Sequence, residues 1–377
     1  MKIALIVARV IVGLLFIFSG LVKANDPLGL SYKMQEFFEV WGMHALNDYT
    51  LFFALVMNSF EIIAGVAVLL GWRMRFFSWL LLLLIIFFTF LTGYALLSGK
   101  IKACGCFGDC IPLTPLHSFI KDLILLVLIG FIFRMRHRIQ PFLSSGANGG
   151  IILLTLFFCI AMQWYVLKHL PFVDCLPYKV GNNLSEQMKV PEGAVPDSFS
   201  IVFKYKKDGK IVEFDMNNFP EDYNDSTYEY VDRVQKLVRP GTGKAAISDF
   251  ILMGMSGADT TEAILSQSNP YVLMFLKDLE TSKKRWEENL PIVLNAAKQK
   301  KIPFFVVSSV AELAKAHISE VAGVDSTYIT YLKCDATVIK TAARENPTYV
   351  LMREANVLAK YAAADYKKME GKVKEVK

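Results

Sequence analysis

The sequence predicts a chain of two parts, a bundle of about five membrane-spanning α-helices followed by an extracytoplasmic α/β domain, and three observations carry that expectation. Hydrophobic residues make up 54% of the 377 and charged residues only 20%, more apolar and less charged than an ordinary soluble protein. Charges are sparse up to about residue 170 and dense after it, so the apolar excess belongs to the first part. Beyond residue 250, apolar strand-like runs alternate with amphipathic helical ones, the pattern of an α/β layer fold. The net charge of +6 is spread along the chain without a basic run, which speaks against a nucleic-acid partner.

A spanning helix needs about 20 mostly apolar residues. Residues 3–22, 51–72, 76–97, 115–133 and 149–167 meet that requirement. Lys2 ahead of the first run suggests a secretory signal, but more spans follow and no convincing cleavage site appears, so the segment reads as retained. With the N-terminus in the cytoplasm, Lys2, Arg9, Arg73, Arg75, Arg134, Arg136 and Arg138 fall inside, and only Lys23, Lys33, Lys100 and Lys102 fall outside. The expectation is a multi-pass inner-membrane protein, embedded in a lipid bilayer, with everything after His169 extracytoplasmic. Between the first two spans, Met34, Phe37, Phe38 and Trp41 fall at helical spacing and predict a short amphipathic helix on the outer surface.

Three ionisable residues fall within the spans. Arg9 lies two turns from the inner end and reaches headgroups by extending its side chain. Glu61 is near the middle of its span, with Asn58 three residues earlier on the same face. It serves either as a protonated structural clasp to a neighbouring helix or as a proton relay beside a quinone, and both readings stay open. Asp122 follows Lys121 and pairs locally.

Six cysteines occur, three of them in the loop KACGCFGDC as Cys104, Cys106 and Cys110. Gly105 and Gly108 let that backbone turn tightly. An oxidised C-x-C pair closes a small strained ring, and strained, exposed disulfides are the oxidising ones. Lys100 and Lys102 favour the reactive thiolate. Two other readings remain: a zinc site built from the three thiols and His117, and a purely structural disulfide. The oxidising compartment disfavours the first, so no metal is expected. Three thiols cannot all pair within the loop, which leaves one for Cys175, just past the fifth span, or for a partner protein. Cys159, in the middle of the fifth span, reads as a small buried apolar residue.

The early FSGLVKANDP segment, the glutamate in the second span and CGCFGD ahead of the fourth resemble the MauE/DoxX superfamily of small membrane proteins over residues 1–140. That resemblance implies a four-helix bundle similar to the DsbB and vitamin K epoxide reductase type, linked to periplasmic disulfide or quinone-coupled redox chemistry. The C-x-x-C of the reductase type is absent; C-x-C followed by C-x-x-x-C stands in its place.

Residues 149–168 form the fifth span and residues 169–250 a connector with a hairpin, SFSIVFKYKKDGKIVEFDM, turning at Asp208-Gly209. The acidic FPEDYNDSTYEY after it reads as a loop and helix start. RPGTGKA fails as a phosphate loop, since Val238 stands at the first glycine position and Ala245 follows the lysine. Residues 251–370 run strand, helix, strand, helix, strand, strand and last helix, and look like a thioredoxin-like domain. Pro347 falls at that fold's cis-proline, beside a groove able to take an extended partner peptide. Glu280 and Lys283 occupy the two positions of its catalytic cysteines, and Cys334, the domain's one thiol, lies elsewhere.

The expected function is support of extracytoplasmic thiol-disulfide or quinone-coupled electron transfer through the CGCFGDC loop. Cys104, Cys106, Cys110 and Glu61 would be catalytic, Cys175 and Pro347 would bind a partner, and quinone is the candidate cofactor. The rival is a non-enzymatic membrane scaffold whose C-terminal domain binds a client protein. A transporter ranks third, since internal repeats and broken helices are lacking.

Overall fold

The computed structural model describes residues 2–101, 105, 107–191, 193–194, 198–207, 210–215, 227–239, 243 and 245–376. Cys104, Cys106 and the Asp208-Gly209 turn lie outside them.

Five helices are long and apolar enough to cross a membrane: Lys2–Asn25, His44–Leu70, Met74–Ser98, Pro115–Arg138 and Ser145–Lys168. Within them run α1 (Lys2–Asn25), α3 (Thr50–Leu70), α4 (Met74–Ser98), α5 (Pro115–Met135) and α6 (Ser145–Lys168), while α2 (Pro27–Val40) joins the first two. Side chains such as Phe52, Leu83, Val127, Leu153 and Phe157 remain exposed around the bundle, as a lipid-facing surface requires. Small residues draw the helices together where α1 crosses α3. A Cβ on Gly65 would sit 2.7 Å from the Gly13 carbonyl oxygen, and one on Gly20 would sit 2.6 Å from Ile62 Cγ1.

Helix α2 begins as the amphipathic spacing predicts. Asp26 caps it by accepting from the Gly29 amide at 3.0 Å, and Pro27 occupies the first turn. Arg9 departs from expectation. Its guanidinium donates to the carbonyls of Val68 (3.1 Å) and Leu69 (3.0 Å), closing the end of α3 instead of reaching headgroups.

After α6 a connector carries α7 (Leu184–Gln187) and a small antiparallel sheet of β1 (Ser198–Lys207), β2 (Lys210–Asp215) and β3 (Glu229–Arg239), in order β2-β1-β3. The β1/β2 register, Lys207 opposite Lys210, agrees with the hairpin. Glu229 and Tyr230 open β3 instead of a helix, because the run to Arg239 finds a partner along the free edge of β1. A 42-residue stretch of sequence thus forms a sheet from three segments, the last of which lacks clear local alternation.

The α/β domain is a six-stranded mixed sheet of order β4-β7-β6-β5-β8-β9. Its strands are β4 (Met253–Gly254), β5 (Pro270–Leu276), β6 (Phe304–Ser308), β7 (Ile329–Lys333), β8 (Thr348–Arg353) and β9 (Asn356–Ala362). Strands β5, β6 and β7 are mutually parallel; β8 and β9 run antiparallel. The helices are α8 (Thr261–Leu265), α9 (Lys283–Gln299), α10 (Ala311–Ser319), α11 (Ala336–Ala342) and α12 (Tyr366–Glu375). Strand β5 is apolar throughout because it is covered on both faces. Val272 and Met274 pack with Trp286, Leu290 and Met369 from α9 and α12. Leu273 and Phe275 pack with Ile264, Val338 and the connector residues Tyr178 and Leu184. Helix α10 and strand β7 extend the expected order; alanines and a short, half-polar strand hid them.

Because the Gly65 clash is with backbone, Gly65→Val is expected to destabilise the bundle by about 1–3 kcal/mol, read as a lowered thermal midpoint in detergent. A substitution at Gly130, which faces open space, should leave that midpoint in place.

Candidate functional site

The site lies where the bundle meets the α/β domain. In the bundle, Ser19 and Lys23 stand one turn apart on α1 and both face Glu61 of α3. Lys23 Nζ makes a direct ion pair with Glu61 Oε1, Ser19 Oγ donates to Oε2 at 3.0 Å, and both charged side chains are buried. Glu61 is therefore a paired carboxylate. The sequence reading placed Lys23 in a loop and missed it; its spacing of four from Ser19, facing an otherwise unmatched intramembrane carboxylate, was the available signal. Asn58 joins Gln163 of α6 at 3.1 Å. Asp122 pairs with Lys121 at 2.8 Å, as expected, and accepts from Thr92 at 3.0 Å.

Two spaces flank the Lys23–Glu61 pair. A pocket of about 470 Å³ lies among α2, α3 and α4, lined by Met34, Phe37, Trp41, Phe60 and Phe88, with Lys23 and Gly105 also in its wall. A small void of about 20 Å³ touches Ser19, Glu61, Phe107, Lys121 and Asp122. Both reach the cysteine loop, the first at Gly105 and the second at Phe107.

Cys110 is bonded to Cys175, linking the α4–α5 loop to the connector after α6. The arrangement of three loop thiols with His117 is accordingly not assembled, and the His117 ring meets Thr114 Oγ1 at 2.7 Å. Cys159 and Cys334 are free and buried, and burial pushes the Cys334 thiol up to about 12.

The α/β domain closes over this region with the loop before β8. Arg344 is buried, donating from Nε to Asp26 (2.8 Å), from Nη2 to Asp109 (2.6 Å) and from Nη1 to the Lys340 carbonyl (2.8 Å). Gly29 leaves the room that the Asp26 carboxylate needs, since a Cβ there would sit 2.6 Å from Oδ2. Lys360 donates to Asp174 at 2.8 Å, and His169 meets Asp365 at 2.7 Å. The Asn346–Pro347 peptide is cis and Pro347 is buried. Asn346 fills the space beside it, donating to the carbonyls of Asp278 (2.8 Å) and Thr281 (3.0 Å) and accepting from the Lys277 amide. Glu280 and Lys283 sit on that same turn, 3.5 Å apart, Glu280 well exposed and Lys283 partly so. None of these cross-domain ionic contacts was read from the sequence; aspartates directly preceding Cys110 and Cys175 were the visible hint.

Burial shifts Glu345 and Lys277 among the groups here. Desolvation raises the Glu345 carboxyl to about 8, against the Ala363 amide, Arg285 and Lys277, which lower it. Desolvation also lowers the Lys277 ammonium to about 8, against Glu345 and Asp278.

Residues 1–134 match the family model described as Methylamine utilisation protein MauE, and residues 199–240 match a model for a Domain of unknown function (DUF8463). Among curated proteins the chain is similar to Protein TlpB of Flavobacterium psychrophilum, 27% identical over 128 residues, which cover 33% of this chain and 35% of that protein. The match thus spans about a third of the relative's length. No solved structure matches. With five candidate spans and the MauE match, the chain is a multi-pass membrane protein.

Glu61→Gln keeps the Ser19 hydrogen bond but strands a buried ammonium, so it is expected to cost about 3–5 kcal/mol. Lys23→Met added to it should recover most of that loss, and purely additive losses in the double variant would refute the pairing. For Glu345 the folded value lies above the unfolded one, so its stabilising share is complete below the unfolded value of 4.5 and is lost as pH rises through about 8. The thermal midpoint of Glu345→Gln, which does not titrate, should therefore gain on the parent between pH 5 and 8 and level off above. A pH-independent difference would contradict this.

Proposed function

We propose that this protein is a membrane thiol-disulfide oxidoreductase that carries electrons from extracytoplasmic thiols, through the CGCFGDC loop, to a quinone. The observation that carries the reading is the pocket whose wall contains both Gly105, the residue between Cys104 and Cys106, and Lys23, the partner of Glu61. An apolar cavity of that size with one buried ammonium suits an uncharged ring bearing carbonyl oxygens. Lys23 would hold a carbonyl oxygen by hydrogen bonding, Glu61 would keep that ammonium in place and exchange protons with it, and the aromatic walls of α2 and α4 would exclude water. A bound quinone supplies a two-electron, two-proton acceptor.

On the thiol side, a client dithiolate attacks the loop disulfide, a mixed disulfide forms, and a second attack releases the oxidised client. The loop is left with two thiols that take up the two protons given off when the client thiols ionised, and these two electrons and two protons are those the acceptor takes. The arginine bias of the loops supports a cytoplasmic N-terminus in an inner membrane, with the cysteines and the α/β domain in the oxidising compartment. The matches to MauE and TlpB contribute sequence likeness alone to this reading.

A scaffold role is favoured by one observation. The turn carrying Glu280 and Lys283 in the thioredoxin-like reading has no thiol, and Cys334 is buried. In that case the domain would hold a client while the bundle performs no turnover.

Mass-shift alkylation of the protein taken directly from growing cells, with and without quinone depletion, separates the two. The loop cysteines should accumulate as thiols when quinone is withdrawn. A thiol state indifferent to quinone supply sinks the electron-transfer reading and leaves the scaffold.

A further inference from the structure

Cys110 and Cys175 are each preceded by an aspartate, and each aspartate is gripped by a cation of the α/β domain. Arg344 holds Asp109 at 2.6 Å and Lys360 holds Asp174 at 2.8 Å, with the cationic side chains only 5% and 3% exposed. Arg344 leads into β8 and Lys360 lies in β9, neighbouring strands of one sheet. The two cysteines are 65 residues apart in sequence, and one sheet with the loop leading into it reaches both of their loops. Neither grip involves sulfur.

We propose that Cys110 and Cys175 are a reversible redox couple, and that Arg344 and Lys360 are its positioning residues, keeping the two thiols within bonding reach after reduction. The proposal rests on the reading of the loop as a site of disulfide exchange, and it assigns the α/β domain a task that needs no thiol of its own. In the step itself a client dithiolate attacks one sulfur of the pair, giving a mixed disulfide and freeing the other as thiolate. Its second thiolate then displaces the first sulfur. The client's sulfurs become bonded, two electrons pass to Cys110 and Cys175, and the two protons that the client thiols release end on them.

Held thiols see one another at high effective concentration, which favours the bonded state. A bare cation nearby would act oppositely by stabilising thiolate. Here each cation is neutralised by its carboxylate, and Arg344 meets a second one in Asp26, so holding dominates and the grips favour the oxidised pair.

The test uses the full-length protein in nanodiscs with Cys104→Ser and Cys106→Ser, so that this pair titrates alone. It is equilibrated across ratios of reduced to oxidised dithiothreitol and read by mass-shift alkylation. With Arg344→Gln and Lys360→Gln together, half-reduction is expected at a ratio about tenfold lower, roughly 30 mV for a two-electron couple. Arg344→Lys with Lys360→Arg, which restore charge at both places, should shift it less. If the Gln pair fails to fold, Asp109→Asn with Asp174→Asn loosens the same grips from the side of the cysteine loops; lost holding and bared cations both favour the dithiol there, so the midpoint should move in the same direction. A midpoint unchanged in a folded variant of either kind overturns the proposal. The outcome is separable from the quinone experiment: indifference to quinone in cells would remove the acceptor but leave this shift standing, whereas an unshifted midpoint removes the positioning role alone.

Discussion

The placement of one buried guanidinium governs how the two parts of this chain meet. Arg344 brings a charge into the junction, and taking such a charge out of water costs several kcal/mol unless every donor is satisfied. All three of its nitrogens find oxygen, on the cap of α2, on the cysteine loop and within its own domain. Removing the guanidinium leaves Asp26 and Asp109 facing one another with no cation between them. The start of α2, the stretch before Cys110 and the loop before β8 are consequently fixed relative to one another, and the cysteines inherit their positions from that arrangement.

The bundle interior follows the same constraint under harsher conditions, since hydrocarbon offers no water to fall back on. Several of its buried polar side chains pair across helices: Lys23 and Ser19 with Glu61, Asn58 with Gln163, and Thr92 with Asp122. These contacts tie α1 and α6 to α3, and α4 to α5. Lys23 alone of these charged groups lines the large apolar pocket. In the proposed function, structural pairing and ligand recognition would fall on the same ammonium, and Glu61 would be both clasp and proton partner.

Much of this architecture was legible in the sequence because it depends on periodicity and composition. The spans, the amphipathic α2, the hairpin register around Lys207 and Lys210, and the strands and helices from Pro270 onward all carry their own local signal. Strand β3 did not, because its pairing with β1 is decided by a neighbour distant in the chain, and α10 is built largely from alanine. The site was only half legible. Glu61 and the cysteine cluster stand out by residue type, whereas Lys23, Arg344 and Lys360 look like ordinary surface charges until the fold brings carboxylates to them. A cation's partner more than 180 residues away, as for Lys360 and Asp174, leaves no trace in local pattern.

The junction also counts membrane crossings. Asp26 follows the first span, Asp109 and Cys110 follow the third, and Asp174 and Cys175 follow the fifth. Each pair is separated by two crossings, so all of these groups emerge on one face only when every helix between them has been threaded in the right sense. A chain that skipped the fourth or fifth span would strand Asp109 across the bilayer from Arg344 and Cys110 across it from Cys175, and one that skipped the second or third would strand Asp26 from Arg344. Parity is thereby written into the finished contacts, and a mis-inserted molecule carries an open junction that sets it apart from a correctly threaded one.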